Sequence, residues 1–554
     1  ELRINFAQPI REETPVRIRK PVIAGIAGVA ALCVSIPANA ESQFIYMEPV
    51  ASGVTLKPLA TAGDSFGGVI WPGTPDGMGV LKGKDGNLTI FVNHEFSATN
   101  AVSAGLAHAN GNATASTVYA LNYDPKLGSV TAARDVLNSV TWYNYATGQS
   151  SLTPVAPSGA AAKDEYNTPN HTKALNRFCS SNMTQPGELA YTVTDKAGNE
   201  KVTGYTGPAY FTGEEGSDES RAFVMDNSGN LIQLPRLGLA AWENFLVAPT
   251  TSTTTVVMGN EDGSATDSQL WMYTGTKSNE GHWTDKAGLT NGALYVMAVD
   301  GIASDNLFRT TVGKGVAKNV NFKPIDYTLN GKAQNVAAKA AGTVMARVED
   351  GSFDPNNPND YYFVTTESNK DPKATAPNPA TPTVSRDGGA LWRLRFNDVN
   401  TPLAGATLTM LLDGSESPYL SKPDNITTDG KGNVLIQEDP GGNDLVARIV
   451  AYRISDGKVA TVAKFVDKYF KVGGTNFITK DEESSGIVDV TDMLKTSATD
   501  KSSYYLLDAQ VHATPAASRP DLAGNAAALA DLKNVIEGGQ LILMTISDWA
   551  AVYS

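Results

Sequence analysis

Histidine and cysteine are scarce in this chain. Its 554 residues include only five histidines (His94, His108, His171, His282 and His512) and two cysteines, Cys33 and Cys179. No H-x-H or H-E-x-x-H spacing occurs, which excludes a His-rich zinc or di-zinc hydrolase site. The P-loop is also absent, so a Walker-type nucleotide cradle has no support. Basic residues are outnumbered, with 44 Lys+Arg against 58 Asp+Glu and a formal net charge of −14. A nucleic-acid backbone demands a basic face, so that class of partner is excluded. Long uninterrupted helical patterns are few, while the 51 glycines and many turn-forming Asn and Asp favour an all-β fold.

The N-terminus reads as an export signal. Arg17, Arg19 and Lys20 form a basic region ahead of the apolar stretch Val22 to Ile36, and Ala38-Asn39-Ala40 is a small-x-small cleavage site. That stretch is about 15 residues, shorter than a membrane span needs. The expectation is cleavage after Ala40 and a periplasmic or secreted protein, with no stable membrane insertion. Cleavage removes Cys33. The mature chain then keeps Cys179 alone and can form no internal disulfide, and a lone thiol in an oxidising compartment needs burial or ligation.

Turn signals recur before apolar strands. Examples are Asp85-Gly86-Asn87 before L-T-I-F-V, Asn227 to Asn230 before L-I-Q-L, Asp387-Gly388-Gly389 before A-L-W-R-L, Asp429 to Asn433 before V-L-I-Q, and Asp456-Gly457 before K-V-A-T-V. The repeat is irregular, which fits four-stranded blades better than a solenoid. Residues 144–175, 369–385 and 513–535 read as insertions. None has the composition of a linker between independent cores, so residues 41–554 are expected to form one closed domain behind a signal peptide at 1–40.

What the chain has in abundance is acidic signatures beside strand-like stretches. They are V-N-H-E (Val92 to Glu95), F-T-G-E-E (Phe211 to Glu215), G-N-E-D (Gly259 to Asp262), R-V-E-D-G (Arg347 to Gly351), P-D-N (Pro423 to Asn425) and I-Q-E-D-P (Ile436 to Pro440). Hard cations need several oxygen ligands, and strand ends scattered along a chain supply them if the fold gathers them. Neighbours on a strand point to opposite faces, so at most one of each acidic pair faces a common site. Two carboxylates about 4 Å apart repel by roughly 1 kcal/mol in water and about 4 kcal/mol at intermediate dielectric. Convergence without a cation is therefore costly. Arg347 stands two residues before Glu349, and a strand period of two places both on one face.

Eight motifs, in order, resemble the PhoX-type alkaline phosphatases. They are P-D-G-M-G (Pro75 to Gly79), V-N-H-E, F-C-S-S-N (Phe178 to Asn182), T-G-E-E (Thr212 to Glu215), G-N-E-D, A-R-V-E-D-G-S-F-D-P (Ala346 to Pro355) with Y-Y-F-V-T-T (Tyr361 to Thr366), K-P-D-N-I (Lys422 to Ile426) and G-G-Q-L-I-L-M (Gly538 to Met544). The resemblance implies a six-bladed β-propeller with a Ca²⁺ and Fe³⁺ cluster in its central channel. It implies Cys179 as a thiolate ligand of iron, and Glu95, Glu215, Glu261, Glu349, Asp424 and Asn425 as oxygen ligands, with Asp262 the alternative to Glu261. It implies Arg347 as the grip on substrate phosphate and hydrolysis of phosphomonoesters with a metal-bound oxygen as nucleophile. The substrate is then a small phosphate ester, and the protein is expected to be a monomer.

The chain departs from that family in places. Its leader arginines are separated, as Arg17-Ile18-Arg19, where the family has a twin-arginine signal. Trp242 of A-W-E-N stands where a histidine is expected, leaving the role of Glu243 open. The stretch between Cys179 and Glu214 is long and polar up to Gly204. Two other readings share the features: a non-catalytic calcium-binding propeller, and another metal-dependent hydrolase, such as a phosphodiesterase or lactonase, on the same scaffold.

Overall fold

A computed structural model describes residues 44–554, apart from 101, 146, 155–172, 380 and 381. Residues from Glu41 onward form one compact unit. The leader and His171 lie outside the described residues, as does most of the insertion at 144–175.

Six inner strands run through the chain in order: Pro75–Lys82, Phe178–Thr184, Trp242–Val247, Val348–Asp354, Pro423–Thr428 and Glu482–Asp489. Each packs beside the next, and the sixth packs against the first, so the ring closes. Outward from each runs a sheet whose inner strands pair antiparallel, giving six blades numbered here in chain order; the second adds a parallel pairing, Ser139–Asn144 against Asn230–Gln233. The blades stack through buried apolar faces in which Trp142, Trp242, Trp271 and Trp392 are wholly enclosed. This is a six-bladed β-propeller, as the sequence leads one to expect. Blades three and four are bridged by Ala317–Ile325, which pairs with a strand of each and joins them in one nine-stranded sheet.

Closure joins the two ends of the described chain. Val54–Thr61 pairs antiparallel with Gly538–Ile546 and forms the outer strand of the sixth blade. Met47–Pro49 similarly edges the fifth blade against Val459–Phe465. A propeller left open at this seam would expose a strand edge and separate two apolar faces.

The turn signals mark hairpins within blades. Gly86, with φ 90°, and Gly432, with φ 84°, supply the left-handed backbone that these turns require. Asp387-Gly388-Gly389 is different: it ends the longer connection between Asn357–Thr365 and Ala390–Phe396. The polar stretch before Glu214 forms an exposed hairpin, Ala190–Thr194 with Glu200–Gly204. Among the described residues no helix is long and apolar enough to cross a membrane.

Candidate metal centre

The second residue of every inner strand is acidic or cysteine. In chain order these are Asp76, Cys179, Glu243, Glu349, Asp424 and Glu483. Because the six strands stand side by side around the channel, one alternation phase brings all six side chains towards one another. A second tier comes from the residue that follows the second strand of each blade: Glu95, Glu215, Asp262, Thr366, Asp439 and His512.

One backbone contact sets the tiers in register. In all six blades the N–H of the second-tier residue donates to the carbonyl of the residue just before the inner strand. The bonds are Glu95 to Thr74 (3.0 Å), Glu215 to Arg177 (2.8 Å), Asp262 to Ala241 (2.9 Å), Thr366 to Arg347 (3.0 Å), Asp439 to Lys422 (2.9 Å) and His512 to Asp481 (3.0 Å). Four of those pre-strand residues are left-handed although none is glycine: Thr74 at φ 48°, Arg177 at 48°, Arg347 at 62° and Lys422 at 45°. Such conformations cost on the order of 1–3 kcal/mol each and cluster at functional sites.

Potential ligand atoms come within 4.8 Å of one another in four overlapping groups: Asp76, Glu95 and Cys179; Cys179, Glu215 and Glu243; Glu243, Glu349 and Asp424; Asp424, Asp439 and Glu483. Burial, then the nearby carboxylates, drives Asp76, Glu243, Glu349 and Asp424 well above the usual carboxylate range. Burial lifts Glu95 to about 7 against the pull of Arg177, and lifts Asp439 to about 7 with help from Glu483. The Cys179 thiol is likewise raised by burial and by Asp76, to whose Oδ2 its Sγ donates at 3.2 Å. Glu215 is the exception: although burial opposes it, Arg177 holds its carboxyl below the ordinary range.

This arrangement fits bound cations. Asp76 Oδ1 and Asn425 Oδ1 are buried and have no hydrogen-bond partner among the described residues. Lone pairs in such positions cost free energy unless something binds them. An oxygen-rich set suits a hard cation such as Ca²⁺, and one soft thiolate beside it suits a transition metal.

Most of the residues singled out from the sequence converge here: Glu95, Cys179, Glu215, Glu349, Asp424 and, next to Glu243 at 3.4 Å, Asn425. Glu261 does not. Its carboxylate accepts from the Gln269 N–H (2.9 Å), Trp271 Nε1 (2.8 Å) and Asn335 Nδ2 (2.9 Å), which turns it into its own blade. Glu261 is the last residue of its strand, in phase with Glu214, forked by Arg221, and Glu438, forked by Arg448. In each pair the first acid serves the blade. The second, here Asp262, faces the channel.

Arg347 Nε and Nη2 bond the two carboxylate oxygens of Asp262 at 2.7 and 2.5 Å, and Nη2 lies 3.4 Å from Glu349 Oε1. Arg347 and Glu349 thus meet as expected, for a different reason. Arg347 precedes the strand, and its left-handed turn, rather than a period of two, swings the side chain across. His94 is structural: its ring lies among Trp71, Phe96 and Tyr119, its Nδ1 donates to the Gly73 carbonyl, and burial lowers it to about 4.

Sequence reasoning assigned no metal role to Asp76 or Glu483, singled out Asp439 only as part of the I-Q-E-D-P signature, and left Glu243 open. Trp242 points into the core against Phe245 and Trp271, so Glu243 beside it faces the channel. Aligning the blades on the second residue of each inner strand would have revealed the full ring. Arg177 was also missed: its guanidinium bridges Glu95 Oε1 at 2.6 Å and Glu215 Oε2 at 2.5 Å.

A six-bladed propeller with an acidic, cysteine-bearing ring in its channel is the class that fold and site define. The family model for alkaline phosphatase PhoX matches residues 227–489. The solved PhoX of Pseudomonas fluorescens, in complex with vanadate, a transition-state analogue, superposes with a TM-score of 0.55 at 14% identity, covering 94% of this chain and 99% of that one. A luciferin-regenerating enzyme (TM-score 0.30, 10% identity, 89% and 95% of the two chains) and a putative gluconolactonase (TM-score 0.29, 9%, 89% and 94%) superpose too loosely to carry an argument. No curated protein matches in sequence. The resemblance carried by the motifs holds: the chain is similar to the PhoX alkaline phosphatase family.

Proposed function

We propose that this protein is an exported, metal-dependent phosphomonoesterase. The observation that carries this is the double tier of carboxylates around one buried thiol, with two guanidiniums at its edge. Asp76, Glu95, Cys179, Glu215, Glu243, Glu349, Asp424, Asn425, Asp439 and Glu483 are the residues that would hold the cations, Ca²⁺ among the oxygens and Fe³⁺ at Cys179. Bound there, the cations would supply charge neutralisation for phosphoryl oxygens and activation of water for in-line displacement.

The remaining chemistry belongs to the chain itself. Arg347 offers a planar fork to non-bridging phosphate oxygens, which a lysine cannot copy. Asp262 takes the Nε/Nη2 edge of Arg347 and so fixes the guanidinium plane, leaving the Nη1 side to face phosphate. A cavity of about 690 Å³, whose walls include Arg177, Glu215, Asp262 and Arg347, opens beside the tiers and admits a small ester. The leader supports placement in the periplasm or exterior, and on this reading the substrate is a small phosphate ester handled by a monomer.

Hydrolysis of 4-nitrophenyl phosphate before and after exhaustive chelation, and after Ca²⁺ is returned, tests the reading. Activity lost and then regained supports it. A protein that binds Ca²⁺ but hydrolyses no phosphate ester would be the non-catalytic propeller, and one that opens lactones instead would be a different hydrolase.

A further inference from the structure

Arg177 and Arg347 occupy equivalent places in blades two and four. Each is left-handed, enters an inner strand, and stands two residues before a ring residue, Cys179 or Glu349. Both line the same cavity. Each guanidinium stands between two carboxylates: Arg177 between Glu95 and Glu215, Arg347 between Asp262 and Glu349. Arg177 meets Glu215 through Nε at 3.1 Å and Nη2 at 2.5 Å, and Arg347 closes on Asp262 and Glu349. Glu215 feels both guanidiniums. The Arg177 side chain is 45% exposed, whereas those of Glu95 and Glu215 are 6% and 12% exposed. The acids are enclosed on the channel side, and the guanidinium is the part that reaches the open cavity.

We propose that Arg177 is a second phosphate-gripping residue, and that with Arg347 it makes the site select phosphate monoesters over diesters. The proposal rests on the phosphatase reading and specifies its substrate class. A monoester dianion presents three non-bridging oxygens carrying two charges. Two planar forks, one from blade two and one from blade four, can engage that set with paired N–H bonds. A diester has one charge fewer and a second substituent in place of the third oxygen, so one fork would face an ester group. Among the described residues the rest of the lining has no aromatic ring to stack on a leaving group; it carries small polar side chains such as Ser97, Thr99 and Asn176 and the carboxylates Asp218 and Asp267. Discrimination therefore falls at the phosphoryl end.

The test compares 4-nitrophenyl phosphate with methyl 4-nitrophenyl phosphate, which share a leaving group, in metal-replete wild type, Arg177→Ala and Arg177→Lys. Inorganic phosphate serves as the competitive inhibitor and as the calorimetric ligand, and metal content is measured on each protein. Arg177→Ala should raise KM for the monoester and weaken phosphate binding by tenfold or more, with metal content unchanged. The monoester-to-diester ratio of kcat/KM should fall by at least tenfold, and Arg177→Lys should recover part of it. An unchanged ratio and unchanged phosphate affinity overturn the proposal. So does a loss of metal in Arg177→Ala whose kinetics return to wild type when metal is restored, since Arg177 would then only balance the ligand charges. Wild type that binds phosphate through Arg177 but hydrolyses neither ester keeps the grip and rejects the enzyme. Wild type that binds no phosphate rejects both.

Discussion

Arg347 and Asp262 are joined by two parallel hydrogen bonds across the boundary between blades three and four. The pair fixes the plane of a guanidinium whose side chain is 27% exposed, and it does so beside Glu349. A fork held this way needs no reorganisation when a phosphate arrives, which is where electrostatic catalysis gains most. Arg347→Ala should lower kcat/KM for a phosphomonoester by about 10² or more, with metal content and Tm near wild type. Arg347→Lys should recover only part of the loss. Asp262→Asn should give a smaller decrease, since it loosens the fork without removing it. Wild-type kinetics in the alanine variant would reject the substrate role.

Cys179 is buried, and its thiol is raised by burial and by Asp76, so without a cation it is protonated. A metal that takes the thiolate must overcome that cost, which makes the residue's response diagnostic. The metal-loaded protein should show a visible thiolate-to-iron band, and Cys179→Ser should lose the colour together with most activity. A buried structural thiol would tolerate serine at a modest stability cost. Absorption spectra of the two proteins, recorded beside their iron contents, decide between these outcomes.

The sequence showed which stretches carry the chemistry but not which member of each acidic pair. Closure by the N-terminal strand leaves no local signature and emerges only when the ends meet at Val54–Thr61 and Gly538–Ile546. Glu349 and Asp424 were legible through the motifs that contain them, R-V-E-D-G and K-P-D-N-I. Asp76 and Glu483 obey the same positional rule, but the turn-like P-D-G and the charged K-D-E-E-S-S let each acid read as turn or surface. Glu261 was drawn into the site by its neighbour. Its real partners, Trp271 and Asn335, are contacts across its own blade and from the helix Gly331–Ala341, which spacing cannot reveal.

That distinction can be measured. Glu261→Gln should keep wild-type metal content and activity while costing about 1–3 kcal/mol of stability, because a buried acceptor of three hydrogen bonds is altered. Glu215→Gln should lose bound metal and activity. Metal analysis and thermal melting of both variants check the assignment, and metal loss in Glu261→Gln would restore it to the site.

Asp64 gives a pH signature remote from the ring. It accepts from the Thr61 N–H at 2.8 Å and from Asn525 Nδ2 at 3.2 Å, and burial pushes it up to about 6. A carboxyl raised in the folded state contributes its full stability below the unfolded value. That contribution is lost as pH rises through about 6. Asp64→Asn, with Asn525 turning its amide over, removes the titration. The variant should gain on wild type between pH 4 and pH 7.5 by no more than about 3 kcal/mol. Denaturant unfolding at the two pH values measures the difference, and a gap that does not widen with pH would contradict the assignment.

The account stands most directly on metal analysis by mass spectrometry of protein purified without chelator, paired with melting before and after exhaustive chelation. Stripping cations leaves several buried carboxylates facing one another, which lowers stability through both their repulsion and the lost ligand linkage. The account predicts bound calcium together with iron, a fall in Tm on stripping, and recovery of most of that fall with Ca²⁺. Metal-free protein with unchanged melting and full phosphatase activity would contradict it.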